Sequence, residues 1–77
     1  MSMQSLSETT KQAVKEYFEM LGENKTKHLY RQIIEEVEHS LLREVMIQND
    51  GNQSQTAICL GINRATLRTK LKRYSII

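Results

Sequence analysis

The sequence predicts an all-α fold with four helices, and three observations favour it. The 77 residues include no proline, and each of the three glycines falls where a helical pattern stops. Apolar residues recur every three or four positions, which is the spacing of one helix face. β-branched residues do not alternate with polar ones, as they would in a half-buried strand. A chain of this length forms one small domain with a marginal core, so oligomerisation is expected.

The first predicted helix follows a polar N-terminus, residues 1–7, which is expected to be flexible. Ser7 or Thr9 is the expected N-cap, and Gly22 is the expected end. The connection to the next helix is predicted at residues 23–25, Glu-Asn-Lys. The apolar face of this helix consists of Ala13, Val14, Tyr17, Phe18 and Leu21.

The second predicted helix is the longest, with a cap at Thr26 or a neighbour and a stop at residues 49–51, Asn-Asp-Gly. Its apolar stripe is too wide for one short preceding helix to cover. We therefore expect it to pack on its own chain and on a partner subunit, with residues 8–50 acting as dimerisation helices. The predicted dimer interface consists of Leu29, Tyr30, Ile33, Ile34, Val37, Leu41 and Val45.

The last two helices are short and are predicted at residues 53–60 and 64–73. Asn52 and Asn63 are their N-caps, and Gly61 breaks the chain between them. Two short helices around a glycine-containing turn form a helix-turn-helix, which we assign to residues 51–77. Ala57 is small where the helices would cross. The expected buried anchors are Ile62, Leu67 and Leu71, with Leu60 and Ile58 behind them.

Charge is distributed unevenly along the chain. Residues 1–50 carry six Lys/Arg and nine Asp/Glu, whereas residues 51–77 carry five Lys/Arg and no acid. Such asymmetry indicates that the C-terminal end binds a polyanion. The alternatives are a basic face that is only solvated, or one that binds a membrane or an acidic protein. Together with the helix-turn-helix pattern it favours double-stranded DNA.

In a helix-turn-helix the second helix enters the major groove, and its first residues meet base edges. Arg64 is the predicted base reader, because arginine can pair with guanine in a bidentate manner. Asn63 and Thr66 lie beside it. The complete predicted DNA contact set is Asn52, Ser54, Asn63, Arg64, Thr66, Arg68, Thr69, Lys70, Lys72 and Arg73. Within this set, Lys70, Lys72 and Arg73 are assigned to phosphate. Asn52 and Ser54 begin the preceding helix and place its N-terminal amides near phosphate.

Residues that suggest catalysis or metal binding have simpler explanations. Cys59, His28 and His39 lack the paired spacing of zinc ligands. Cys59 is expected in the core, as are Met20 and Met46. The acidic residues Glu35, Glu36 and Glu38 are expected on a solvated helix face. We therefore predict no enzyme activity, no cofactor, no small-molecule substrate, no membrane span and a reducing intracellular compartment.

Five segments carry a resemblance to known proteins: AVKEYF (13–18), LYRQIIEEVE (29–38), LLREVM (41–46), GNQSQTA (51–57) and GINRATLRTKLKRY (61–74). Together they resemble the Fis (factor for inversion stimulation) family of bacterial nucleoid DNA-binding proteins. The resemblance covers about residues 6–74. The tail alone also resembles the output domain of nitrogen-regulation-type enhancer-binding activators.

The resemblance implies an intertwined homodimer that binds degenerate DNA sites and bends the duplex. It implies a cytoplasmic, nucleoid-associated bacterial protein that acts in transcription regulation and chromosome organisation, with Asn63 and Arg64 as main base readers. Three positions depart from the family pattern. This chain has Thr69 where a lysine is usual, Gln55 where a basic residue is usual and Ser54 where threonine is common. Asp50 places an acid where the surface that contacts RNA polymerase usually has a base, so that contact is left open.

The resemblance also predicts that this chain lacks the N-terminal β-hairpin arm with which relatives stimulate DNA inversion. Two other functions remain as alternatives. One is a helical protein–protein interaction module whose basic tail binds an acidic partner. The other is the detached output domain of an enhancer-binding transcription activator.

Overall fold

The computed structural model describes residues 5–22 and 27–77. The regular secondary structure in this part of the chain consists of four α-helices. The helices are α1 (Leu6–Leu21), α2 (Leu29–Gln48), α3 (Gln53–Leu60) and α4 (Arg64–Arg73). The all-α prediction is confirmed, and the bounds of α3 and α4 are those expected from their caps. The predicted connection at 23–25 and the predicted cap at Thr26 lie outside the described residues; α2 has His28 at its N-cap position.

The start of α1 corrects the predicted cap. Ser5 is extended, and its Oγ accepts a hydrogen bond of 3.0 Å from the backbone N–H of Glu8. Neither Ser7 nor Thr9 is the N-cap, because both lie within the helix. Several hydroxyl residues precede the apolar face, and each is a chemically suitable cap. Gly22 ends α1 at φ +58°, as predicted.

The other three helices end in one common geometry. A residue with left-handed φ follows each helix: Asp50 (+53°) after α2, Gly61 (+74°) after α3 and Ser75 (+57°) after α4. The next amide in the chain then donates to a carbonyl of the last helical turn, so the reversal satisfies groups the helix leaves unpaired. These bonds are Gly51 N to Met46 O (2.9 Å), Ile62 N to Ala57 O (3.1 Å) and Ile76 N to Leu71 O (2.9 Å).

The buried core lies where the C-terminal half of α2 meets α3 and α4. Its apolar members are Leu42, Met46, Ala57, Leu67 and Leu71, and Leu60, Ile62, Tyr74 and Ile76 pack against them. The predicted anchors Leu67 and Leu71 are therefore confirmed as buried, whereas the third predicted anchor, Ile62, is half-buried; Ala57, predicted where the helices cross, is buried too. In contrast, α1 contributes no buried residue. The described chain thus has its own small core at the helix-turn-helix end and an uncovered apolar surface at the other.

Three residues expected in the core lie on the surface. Ile58 is 73% exposed, Cys59 is exposed and Met20 is 87% exposed. The inward face of α3 consists of residues 53, 56, 57 and 60, at the spacing of one helix face. Each successive residue turns by about 100° around a helix. Ile58 and Cys59 therefore point away from α2 and α4, although both are apolar.

An open groove of about 460 Å³ runs between α1 and α2. It is lined mainly by apolar atoms, with Leu6 and Ala13 on α1 and Ile33, Val37 and Leu41 on α2. The two helices therefore do not close over the apolar stripe of α2 within one chain. This groove is the part of the fold that a further helix or subunit would cover.

Candidate nucleic-acid interface

The packing of α3 against α4 is set by a short turn at residues 61–63. Gly61 takes a left-handed φ of +74°, and its amide donates to the Ile58 carbonyl at 3.1 Å. Ile62 is half-buried and packs against the core, which fixes the direction in which the chain leaves the turn. Asn63 then begins α4, and its carbonyl accepts from the Leu67 amide at 2.9 Å. The result is a helix-turn-helix whose second helix lies at the surface.

Two asparagine caps hold the start of each helix in this unit. Asn52 Oδ1 accepts a hydrogen bond of 2.9 Å from the backbone N–H of Gln55. Asn63 Oδ1 accepts one of 2.7 Å from the backbone N–H of Ala65. Each cap uses the side-chain oxygen and leaves the amide –NH₂ as a donor. Asn63 is therefore a fixed, exposed donor directly beside Arg64, and Ser54 is exposed in the first turn of α3.

The two faces of α4 have different chemistry. Leu67 and Leu71 are fully buried and attach the helix to the core. The opposite face carries exposed side chains of which most are cations: Arg64, Thr66, Arg68, Thr69, Lys72 and Arg73. Since residues 51–77 contain no acid, this face presents positive charge without a neutralising group from its own unit. A surface of this kind attracts a polyanion.

The side chains of Arg68 and Thr69, both in the predicted contact set, also form hydrogen bonds inside the protein. Arg68 Nη1 donates to Gln53 Oε1 at 3.3 Å, which links α4 to the start of α3. Thr69 Oγ1 donates to the Ala65 carbonyl at 3.0 Å, so its hydroxyl hydrogen is already used. Thr69 and Thr66 line a shallow surface groove with Lys70 and Arg73. Arg68 is therefore partly oriented, and Thr69 has lone pairs to offer but no hydrogen.

Lys70 differs from the other cations of α4 because it is half-buried and paired. Its Nζ lies 2.9 Å from Oε2 of Glu38 on α2. The other oxygen of the same carboxylate, Oε1, accepts a hydrogen bond of 2.6 Å from the hydroxyl of Tyr74. The ring of Tyr74 in turn stacks on His39, with centroids 5.5 Å apart and planes 12° from parallel. These contacts join the end of α4 to the middle of α2.

The cluster shifts two acid–base equilibria. The hydrogen bond from Tyr74 and then the ammonium of Lys70 lower the pKa of Glu38, since both favour the carboxylate. The hydrogen bond to Glu38 raises the pKa of Tyr74, because the phenolate would lose that bond and face a negative charge. At neutral pH Glu38 is therefore a carboxylate and Tyr74 a neutral phenol, because the pKa of Glu38 is lowered and that of Tyr74 is raised.

Sequence reasoning missed this cluster by placing Glu38 on a solvated face. A signal was present: Glu38 precedes the buried residues Leu42 and Met46 by four and eight positions, so it shares their face of α2. Tyr74 likewise follows Leu67 and Leu71 at helical spacing. The leucine and methionine side chains of α2 pack on the leucines of α4 in the core. Glu38 and Tyr74, which continue these two rows, meet at the edge of the core.

The residues predicted for a dimer interface lie on the apolar stripe of α2 outside the core. Tyr30 is 81% exposed, and Ile34, Val37 and Leu41 are also exposed in the single chain. Leu29, Ile33 and Val45 are half-buried. The stripe therefore presents a continuous apolar surface that the four helices of one chain leave open.

The described residues contain neither a candidate metal site nor a candidate membrane span. Within residues 5–22 and 27–77 there is no group of His, Cys, Asp or Glu side chains arranged to hold a metal ion. In the same part of the chain, none of the helices combines the length and the apolar character that crossing a bilayer requires.

Known proteins resemble this chain over most of its length. The model of a family described as "Bacterial regulatory protein, Fis family" matches residues 33–74. The DNA-binding protein Fis of Actinobacillus succinogenes is 46% identical over 71 residues, which are 92% of this chain and 72% of that protein. The proteins of the same name from Escherichia coli O1:K1 / APEC and from Yersinia pestis are each 45% identical over the same shares.

Proposed function

The chain belongs to the bacterial Fis family, and from this we propose that it binds and bends double-stranded DNA as a homodimer. The observation that carries the proposal is the basic face of α4, the second helix of a helix-turn-helix. That face holds four exposed cations, Arg64, Arg68, Lys72 and Arg73, and no acid lies within residues 51–77. Relatives 45–46% identical to it are DNA-binding proteins by name. The proposed roles are transcription regulation and chromosome organisation.

In the proposed complex, α4 lies in the major groove with its N-terminal end towards the bases. Arg64 reads guanine through its guanidinium, and Asn63 offers its free amide donors beside it. Thr66, Arg68 and Thr69 lie one turn further along, where bases and phosphates are both within reach. Lys72 and Arg73 serve phosphate, Lys70 lies beside them paired with Glu38, and Asn52 and Ser54 position the start of α3 near the backbone.

The homodimer is proposed because α2 carries more apolar surface than its own chain covers. Exposed apolar patches of this extent are typical of protein–protein interfaces. Since an isologous dimer pairs one patch with itself, the stripe of α2 around Ile34 and Leu41 meets its own copy. Residues 8–50 then form the dimer core, and residues 51–77 form one DNA-reading unit on each subunit. A contact of the turn at Asp50 with RNA polymerase stays open.

Two reading units joined rigidly through a dimer core contact two sites on one duplex. Bending the DNA brings both units and their flanking cations into contact at once, and the cost of bending depends on the DNA sequence. Part of the sequence preference is therefore proposed to come from DNA shape. A contribution from DNA shape would let this protein prefer certain sites although it makes few base contacts.

The test is a gel-shift titration on a long, curved duplex with an A/T-rich centre and on a duplex of equal length and random sequence. Both are measured at two salt concentrations, with sedimentation equilibrium of the free protein alongside. Discrete complexes, a site preference and a steep loss of affinity with salt are expected. Weak retardation of both duplexes alike would instead favour a helical module for an acidic protein partner. A monomer in sedimentation would overturn the dimer.

A further inference from the structure

We propose that Glu38 is a positioning residue for the DNA interface, which holds the C-terminal end of α4 on α2 and withholds the charge of Lys70 from DNA. The inference rests on the proposed function. It starts from a carboxylate on the long helix that contacts two groups of the DNA-reading unit. Neither contact belongs to the core, and neither is needed to form α4 itself.

The geometry gives the two oxygens of Glu38 separate partners. Oε2 lies 2.9 Å from the ammonium of Lys70, and Oε1 lies 2.6 Å from the hydroxyl of Tyr74. The carboxylate side chain is 25% exposed and that of Lys70 is 31% exposed. Partial removal from water strengthens an ion pair relative to one at the open surface. The pair is therefore more persistent than the exposed pairs within α1 and α2, Lys11–Glu8 and Arg31–Glu35.

Lys70 is set apart from its neighbours on α4 by this pairing. Across the described residues, it is the only cation of α4 that forms an ion pair. Lys70 also lines the surface groove with Thr66, Thr69 and Arg73, so it stands at the edge of the proposed DNA face. A phosphate at that groove meets an ammonium whose charge is already balanced by Glu38. The effective charge of α4 towards DNA is thus one unit lower than its sequence indicates.

The two contacts of Glu38 have separable consequences. Tyr74 lies at the C-cap of α4 and stacks on His39, so its hydrogen bond acts on the position of the helix. Lys70 acts on charge. Other charges near the carboxylate are Glu35, Arg31 and Arg73, which line the same surface depression on α2 and α4. Within the described residues, Glu38 accepts side-chain hydrogen bonds from Lys70 and Tyr74 and from none of these three. Glu38 is therefore the group through which α2 controls both the position and the charge of α4.

The main experiment measures DNA affinity of the full chain against salt for wild type and Glu38→Gln, on a random duplex. The variant frees Lys70 to pair with phosphate, so the slope of log affinity against log salt should steepen by about 0.9. Between about 50 and 200 mM salt the variant should then lose about threefold more affinity than wild type loses. An unchanged slope in a variant that still binds overturns the inference and leaves the proposed DNA binding intact.

Controls separate this mechanism from a general change in charge. Glu44→Gln removes the same charge from an exposed position on α2, and its slope should stay at the wild-type value. The double variant Glu38→Gln/Lys70→Gln should lose the steepening, because the freed cation is gone. Tyr74→Phe should keep the slope, since it leaves the ion pair. Steepening in Glu44→Gln, or its persistence in the double variant, overturns the inference.

Two further measurements keep the inference testable if Glu38→Gln folds poorly or if DNA binding fails altogether. In the wild-type background, Lys70→Gln should reduce the salt slope less than Lys72→Gln, because only the first lysine is already paired. Equal reductions contradict the proposal. Without DNA, an NMR titration that resolves the Tyr74 ring from those of Tyr17 and Tyr30 should show a lower pKa for Tyr74 in Glu38→Gln than in wild type. An unchanged Tyr74 pKa means that the contact is absent in solution.

Discussion

Tyr74 donates its phenolic hydrogen to Glu38, with the two oxygens 2.6 Å apart, and so ties the last residue of the α4 cap to the middle of α2. The two residues are 36 positions apart in the sequence. This bond and the Lys70–Glu38 pair connect the helix with the proposed dimer surface to the helix with the basic face. The two helices are therefore joined at this edge of the core as well as through the buried leucines.

Acid should weaken this connection. The pKa of Glu38 is lowered in the folded chain, so its contacts contribute stability above the ordinary glutamate pKa of about 4.3 and lose it as pH falls through the folded value. Glu38→Gln should therefore lower the free energy of unfolding by about 1 kcal/mol near neutral pH, with the partial exposure of the pair keeping the effect small. Urea unfolding of wild type and Glu38→Gln across the acid range should show that the difference in their unfolding free energies disappears below about pH 4. A difference in unfolding free energy that does not change with pH would contradict a stabilising role of the Glu38 carboxylate.

Arg64→Ala should reduce affinity for a preferred site by about 1–3 kcal/mol and relax the preference at one base position. The reason is that a bidentate contact to guanine is lost while the phosphate contacts remain. Competition binding with single-base variants of the site measures this. Lys72→Ala is the matched control, because it removes one charge from the same helix and should weaken all sequences alike. Equal effects of the two substitutions on every duplex would mean that α4 reads no base through Arg64.

Ile34→Asp should separate the proposed dimer. Ile34 is 43% exposed in the single chain, and a carboxylate there would be buried without a partner between subunits. The dissociation constant should rise by more than about a hundredfold, which corresponds to about 3 kcal/mol. Ile47→Asp is the control, because Ile47 is also exposed on α2 but lies outside the predicted interface. Sedimentation equilibrium should find monomers for the first variant only, and dimers for both would place the interface elsewhere.

Thr56→Val should stabilise the chain by about 1 kcal/mol. Thr56 is fully buried, and its hydroxyl has no hydrogen-bond partner in the described structure. Valine keeps the shape and removes the unpaired polar group. Urea denaturation gives the change directly, and Thr56→Ser serves as the comparison because it keeps the hydroxyl and loses the methyl group. If valine were destabilising, the hydroxyl must find a partner in solution.

Gly61→Ala should destabilise the helix-turn-helix by about 1 kcal/mol, because an alanine at φ +74° adopts a left-handed backbone. A Cβ added at Gly61 would meet no atom within 4 Å, so the cost comes from the backbone alone. Ser75→Gly makes the reverse change at φ +57° and should give a smaller gain, since glycine also loosens the unfolded chain. Thermal or urea unfolding compares the two. A neutral Gly61→Ala would show that the turn changes conformation.

Much of this architecture follows from the sequence by local rules. An asparagine cap, a glycine in the left-handed region and an apolar face at helical spacing act within a few residues, so the bounds of α3 and α4 needed no tertiary information. The burial of Leu67 and Leu71 follows for the same reason, because an amphipathic helix has only one face to bury. The concentration of cations on the other face of α4 follows with it.

Only the tertiary structure decided which apolar residues stay outside and which charges find partners. Ile58 and Cys59 are as apolar as Ala57, but α2 and α4 both approach α3 on the side of Ala57, and so small a core buries one face only. Glu38 and Lys70 are 32 residues apart and meet because α2 and α4 both pack on one core, at whose edge these side chains lie. Local signals extend over one or two helical turns, whereas the partner of a carboxylate depends on how the helices pack.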